Sequence, residues 1–153
     1  MMRTLRAVAA LVASVATGCD AHTPMTIPAG AQQVHVTVTQ SEVRLSPATV
    51  RAGDVFLVLD GPGQGFSFVT LGGGPFDDDA IARLAAGDLQ GTAIEGFQVS
   101  CAPDGWSEER GWEGCGNAFQ VSVSAGQYAI LAPGEAPGVR PTMAVLTVEP
   151  QGP

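Results

Sequence analysis

Between Val34 and Thr39 the chain alternates without exception: Val34, Val36 and Val38 take one parity, and His35, Thr37 and Thr39 take the other. A period of two sorts side chains onto the two faces of a β-strand, which a helix of 3.6 residues per turn does not do. Val43 and Leu45 extend the alternation past Gln40-Ser41-Glu42, and Pro47 ends it. Gly53-Asp54 then turns into the unbroken apolar run Val55–Leu59, the signature of a strand covered on both faces. Gly61-Pro62-Gly63 closes that run. Further strands are expected over Phe66–Leu71, Phe97–Ser100, Phe119–Val123, Tyr128–Leu131 and Met143–Val148, separated by glycine and proline turns. Short strands at this spacing predict an all-β antiparallel sandwich, and a length of 153 residues predicts one domain.

One helix interrupts the strands. Asp77 stands where a side chain caps free backbone donors, Phe76 and Ile81 occupy staple positions, and Gly87 supplies a left-handed stop. The segment is expected to run to about Ala86, with Ile81, Leu84 and Ala85 as its apolar stripe. Asp77-Asp78-Asp79 also invites a calcium reading, but three acids opening a helix complement its dipole and lack the spread of a calcium loop.

Residues 1–18 read as a signal peptide: two arginines, Arg3 and Arg6, precede a small-apolar run from Ala7 to Ala16 that is too short to span a bilayer. Ala16-Thr17-Gly18-Cys19 resembles the lipobox of bacterial lipoproteins, in which the cysteine is lipidated and the chain is cut before it. An ordinary secretory signal cut elsewhere is the alternative. The lipoprotein reading makes residues 19–33 a lipidated Cys19 followed by a flexible tether, with the folded domain over 34–150. It also implies a palmitate-type acyl anchor in the bacterial cell membrane and an extracytoplasmic location. Each acyl methylene contributes about 0.8 kcal/mol of membrane affinity. The chain has no lysine and a formal charge of −8, so its surface repels both nucleic-acid phosphates and anionic headgroups. Membrane attachment must then come from the lipid. With Cys19 assigned to the anchor, Cys101 and Cys115 remain as an even pair, and an oxidising compartment favours a disulfide between them. A metal site is the rival reading of that pair, though the segment between them holds no histidine and lacks Cys-x-x-Cys spacing.

The closing residues, Ala125-Gly-Gln-Tyr-Ala-Ile-Leu-Ala-Pro-Gly-Glu135 and then Pro141–Val148, resemble the final hairpin of a cupredoxin. Ser46-Pro47, Gly53-Asp54 and Phe66-Ser-Phe-Val-Thr-Leu71 fit the earlier frame of that family. The resemblance covers roughly Val34 to Val148 and implies a Greek-key cupredoxin-like sandwich with one short inserted helix. It also implies that Tyr128 ties its hydroxyl back to upstream backbone, as a tyrosine corner does. The ligand frame, however, has changed. The first histidine position is Phe66, the cysteine position is Ala132, the second histidine position is Glu135, and only Met143 keeps a ligand type. A blue copper centre takes its strong bonds from one thiolate and two imidazoles, so Met143 alone cannot hold copper. The chain contains only His22 and His35, neither beyond the first strand, so no imidazole is available to rebuild the centre from the second half. No cofactor is expected.

The remaining candidates divide between recognition and packing. Trp106 and Trp112 lie between Cys101 and Cys115, beside four acids and Arg110, either as anchors of a constrained recognition loop or as cover for one end of the sandwich. His35 falls on the exposed parity of its strand and reads as a solvated histidine. There is no Gly-x-Ser-x-Gly elbow, phosphate loop, His-Glu-x-x-His or dinucleotide fingerprint, so no enzyme is expected. The sequence reading is a lipid-anchored binding module whose partner is an unidentified protein or small ligand. The alternative is a copper-binding or electron-transfer protein with a rearranged site involving Met143, His35 or Glu135.

Overall fold

The computed structural model describes residues 25–60, 65–101, 115–132 and 141–152. Among the described residues, eleven strands and one helix follow in order: β1 (Gln32–Val38), β2 (Val43–Ser46), β3 (Thr49–Arg51), β4 (Gly53–Asp60), β5 (Gly65–Leu71), α1 (Asp78–Ala85), β6 (Thr92–Gln98), β7 (Ser100–Cys101), β8 (Cys115–Gly116), β9 (Ala118–Val123), β10 (Gly126–Ala132) and β11 (Thr142–Glu149). They form a four-stranded sheet, β2-β1-β4-β9, stacked on a five-stranded sheet, β3-β11-β10-β5-β6, with β7 and β8 as a separate short ladder.

Both main sheets are mixed, which corrects the purely antiparallel expectation. β1 runs parallel to β4, from Gln32 opposite Val55 to Thr37 opposite Asp60. β11 runs parallel to β3, with Val148 opposite Val50. Both exceptions arise where the chain changes sheets. Crossing from β2 to β3 around Pro47, and back into β4, returns it beside a strand already pointing the same way. β6 also begins at Thr92, well before the expected Phe97, and β1 begins at Gln32.

Alternation decides what lies between the sheets. Val34, Val36 and Val38 from β1 and Val55, Leu57 and Leu59 from β4 meet Phe66, Phe68, Tyr128, Ile130 and Leu146 of the facing sheet in one core. All five residues of Val55–Leu59 are buried, as an apolar run without alternation requires. Phe68 and Tyr128 stack at 5.3 Å with an interplanar angle of 17°. The Tyr128 hydroxyl accepts from the Ser124 amide at 3.1 Å and donates to the Ser124 carbonyl at 3.2 Å. This is the expected tie to upstream backbone, and it satisfies the one polar atom of an otherwise core side chain.

The helix covers the outer face of the five-stranded sheet. Asp77 caps it, accepting from the Ala80 amide at 2.7 Å, and Gly87 adopts a left-handed φ of 93° beyond its end. Phe76, Ala80 and Leu84 pack on Val69, Ala129 and Leu131, with Ile81 and Met143 at the margin of this second cluster. The expected stripe is corrected at one position: Ala80 is buried and Ala85 is exposed. The segment entering the helix approaches the sheet closely at Gly126, whose backbone sits against Pro75 while the Phe76 amide donates to the Gln127 carbonyl at 2.7 Å.

Candidate functional site

The ends of the two sheets define two poles. At one of them lie Asp60 and Gly65, which bound the β4–β5 connection, and Ala132 and Thr142, which face each other in the β10–β11 hairpin. Asn117 joins them: its side-chain amide donates to the Leu59 carbonyl at 3.1 Å, and its own carbonyl accepts from the Leu59 amide at 2.8 Å. The segments expected to carry function, residues 101–116 and 132–142, therefore leave and re-enter the fold at this pole.

Its interior is aromatic. Phe66 and Phe97, paired across β5 and β6, have ring centroids 5.4 Å apart. Phe119, from the facing sheet, meets Phe97 at 4.6 Å and Phe66 edge-on at 5.9 Å. Offset and edge-on rings of this kind contribute about 0.5–1.5 kcal/mol per pair beyond the area they bury. Phe66 is 2% exposed and Ala132 is 3% exposed, and both belong to the core between the sheets. Phe66 and Ala132 thus both face this core, and both present carbon.

Met143 is not brought to them. In the β10–β11 ladder it stands opposite Leu131, and both pack in the cluster beneath the helix. Ala132 and Ala144 point to the inter-sheet core from the alternate parity. Phe66 and Met143 consequently lie on opposite faces of one sheet, where no single ion can touch both. Among the described residues, no three His, Cys, Asp or Glu side chains converge on a metal-sized site. The described residues do not supply the imidazoles and thiolate that a type 1 copper ion needs.

His35 is exposed, as its parity requires, and it has a partner. Its Nδ1 lies 2.6 Å from the Asp60 carboxylate, both side chains being about half exposed (47% and 43%). The pair sits on the outer side of the four-stranded sheet, away from the aromatic pole interior. Asp77 is occupied as the helix cap, and Asp78 accepts from the Gln127 side chain at 2.5 Å. Both carboxylates are thus engaged in structural hydrogen bonds. At the opposite pole an open depression of about 390 Å³ is lined by Gln32, Pro47, Thr49, Arg51 and Glu149 among others. Gln32 does not offer its amide to that space, because it is hydrogen-bonded to the Arg51 backbone on both sides, at 3.0 and 2.8 Å.

Cys101 and Cys115 are direct cross-strand partners in the β7–β8 ladder. Opposed residues of an antiparallel pair have Cα atoms about 4.5–5.5 Å apart, within the range that a disulfide spans. Cys19, His22, Trp106, Trp112 and Glu135 lie outside the described residues. Sequence reasoning missed Phe97 and Phe119 as members of the pole cluster, since nothing local announces which strands meet across the core. Phe66 and Phe97 pair across the α1 insertion, so no turn in the sequence fixes their register. Neither protein-family models nor curated proteins return a match to this chain.

Proposed function

We propose that this chain is a lipid-anchored, extracytoplasmic cupredoxin-like module that has given up type 1 copper and acts, without catalysis, by binding a protein or small ligand. The observation that carries the reading is the filled pole: Phe66, Phe97, Phe119 and Ala132 occupy with apolar side chains the interior where the ligand frame would need imidazole and thiolate. The Greek-key assignment draws support from the way consecutive strands switch sheets and from the Tyr128–Ser124 corner. In this reading Cys19 carries the anchor, Cys101 and Cys115 are joined, and Trp106 and Trp112 belong to the segment that the disulfide closes. A loop of that size gains roughly 3 kcal/mol from closure in the chain-entropy model.

Metal analysis is the direct test. The full chain, extracted in detergent, is incubated with excess copper, dialysed and assayed for bound metal and visible absorbance. Copper at well below one equivalent, with no charge-transfer band, supports the reading. One tightly held copper per chain overturns it and favours the rearranged electron-transfer site. Mass spectrometry of the same material reads the acyl modification at Cys19 and the oxidation state of the other cysteines.

A further inference from the structure

The sheet edges of this protein are not equally protected. β2 spans four residues and β3 three, on either side of Pro47, and short strands beside proline make poor templates for further pairing. β9, the outer strand of the four-stranded sheet, is six residues long, turns Ala118, Val121 and Val123 to the core and carries no charge that would select a partner. β6 is different. It is the terminal strand of the five-stranded sheet, seven residues long, and its centre Ala93-Ile94-Glu95-Gly96 is exposed throughout. It contains no proline and no Lys or Arg, and its one charge is the acidic Glu95 at its centre. Ile94 is 50% exposed. Its register partner is Val69, so it shares a face with Leu71, which is also exposed, and Leu89 lies exposed just ahead of the strand.

We propose that β6 is a docking edge that accepts an extended segment of a basic partner protein as an added strand. Main-chain hydrogen bonds would supply affinity there, and the alternating side chains would set preference. The charge pattern selects the occupant. A second copy of this chain, laid antiparallel along the whole of β6, brings Glu95 opposite Glu95, and like charges directly opposite destabilise a strand pair. The formal charge of −8 with no lysine adds repulsion between whole molecules. A strand that places Lys or Arg opposite Glu95 and a β-branched residue opposite Ile94 turns both features into attraction. The inference rests on the reading of the chain as a binding module, but it uses a sheet edge and not the aromatic pole. Copper uptake would therefore overturn the metal-free pole alone, whereas failure of strand binding would overturn the docking edge alone.

The test uses the full chain in mild detergent and two labelled synthetic strands, one alternating valine with lysine and one alternating valine with glutamate. Fluorescence anisotropy reports binding, and amide hydrogen exchange locates it. The lysine strand is expected to bind in preference to the glutamate strand and to slow exchange across residues 92–98. Glu95→Lys is expected to weaken the lysine strand by about tenfold and to reverse the preference, with Glu95→Gln between the two. Equal binding of both strands, exchange protection elsewhere, indifference to Glu95→Lys and Glu95→Gln, or sedimentation as a dimer paired through β6 would each overturn the proposal.

Discussion

Replacing Phe66 by alanine tests whether the pole is packed core or merely a covered cavity. Phe66 is 2% exposed and touches two other rings, Phe97 at 5.4 Å and Phe119 at 5.9 Å. Truncating such a buried phenylalanine costs about 3–5 kcal/mol, combining the lost transfer energy with the void that remains. Typical domains have only about 5–15 kcal/mol of stability, so the loss is a large fraction of the whole. With a urea slope of roughly 1–3 kcal/mol per molar, the unfolding midpoint should fall by about 2 M while the slope is unchanged. The companion variant is Met143→Ala, on the other face of the same sheet. If the two residues share no site, their costs add to within about 0.5 kcal/mol in a double-mutant cycle. A midpoint shift below about 0.5 M for Phe66→Ala would refute the packed pole, and strong coupling to Met143 would refute the separation of the two faces.

Two further outcomes follow from the fold. Tyr128→Phe removes the hydroxyl that ties to the Ser124 amide and carbonyl; Ser124 is exposed, so water can take the hydroxyl's place, and thermal or urea unfolding should show a loss of about 0.5–1.5 kcal/mol with the ring packing on Phe68 retained. Gly126→Ala forces a side chain onto a backbone with φ of 143° and sets its Cβ 2.3 Å from that of Pro75. Strain and overpacking together should cost about 2–5 kcal/mol, and circular dichroism with urea titration reads it; a neutral outcome would mean that the Pro75–Gly126 approach is not tight.

Much of the sandwich is written in local pattern. The alternation at Val34–Val38, the solid run Val55–Leu59 and the capped segment after Asp77 each became the element expected, because the physics that fixes them acts within a few residues. Parallel pairing was not legible, since a strand shows the same period of two whichever way its neighbour runs. The early part of β6 was hidden for a related reason. Thr92-Ala93-Ile94-Glu95-Gly96 sits on an exposed edge, so neither burial nor strong β-propensity marks it, and its pairing with β5 alone makes it a strand. At the pole, Phe66 and Ala132 share the inter-sheet core, whereas Met143, assigned to the same ligand frame by position in a motif, does not join them. Motif position does not count faces. One residue of parity carries Met143 beneath the helix while its neighbour Ala144 stays with the core.

The parallel junction of β1 with β4 has a mechanical corollary. Any tension entering from the N-terminal end arrives at Gln32 and runs lengthwise along β1, whose rungs from Gln32–Val55 to Thr37–Asp60 lie across the direction of pull. Rungs loaded in that way share the force and yield as a group, unlike a hairpin peeled open from its tip. The Gln32 amide, clamped to the Arg51 backbone in the other sheet, spreads the same load into the second layer before any rung breaks.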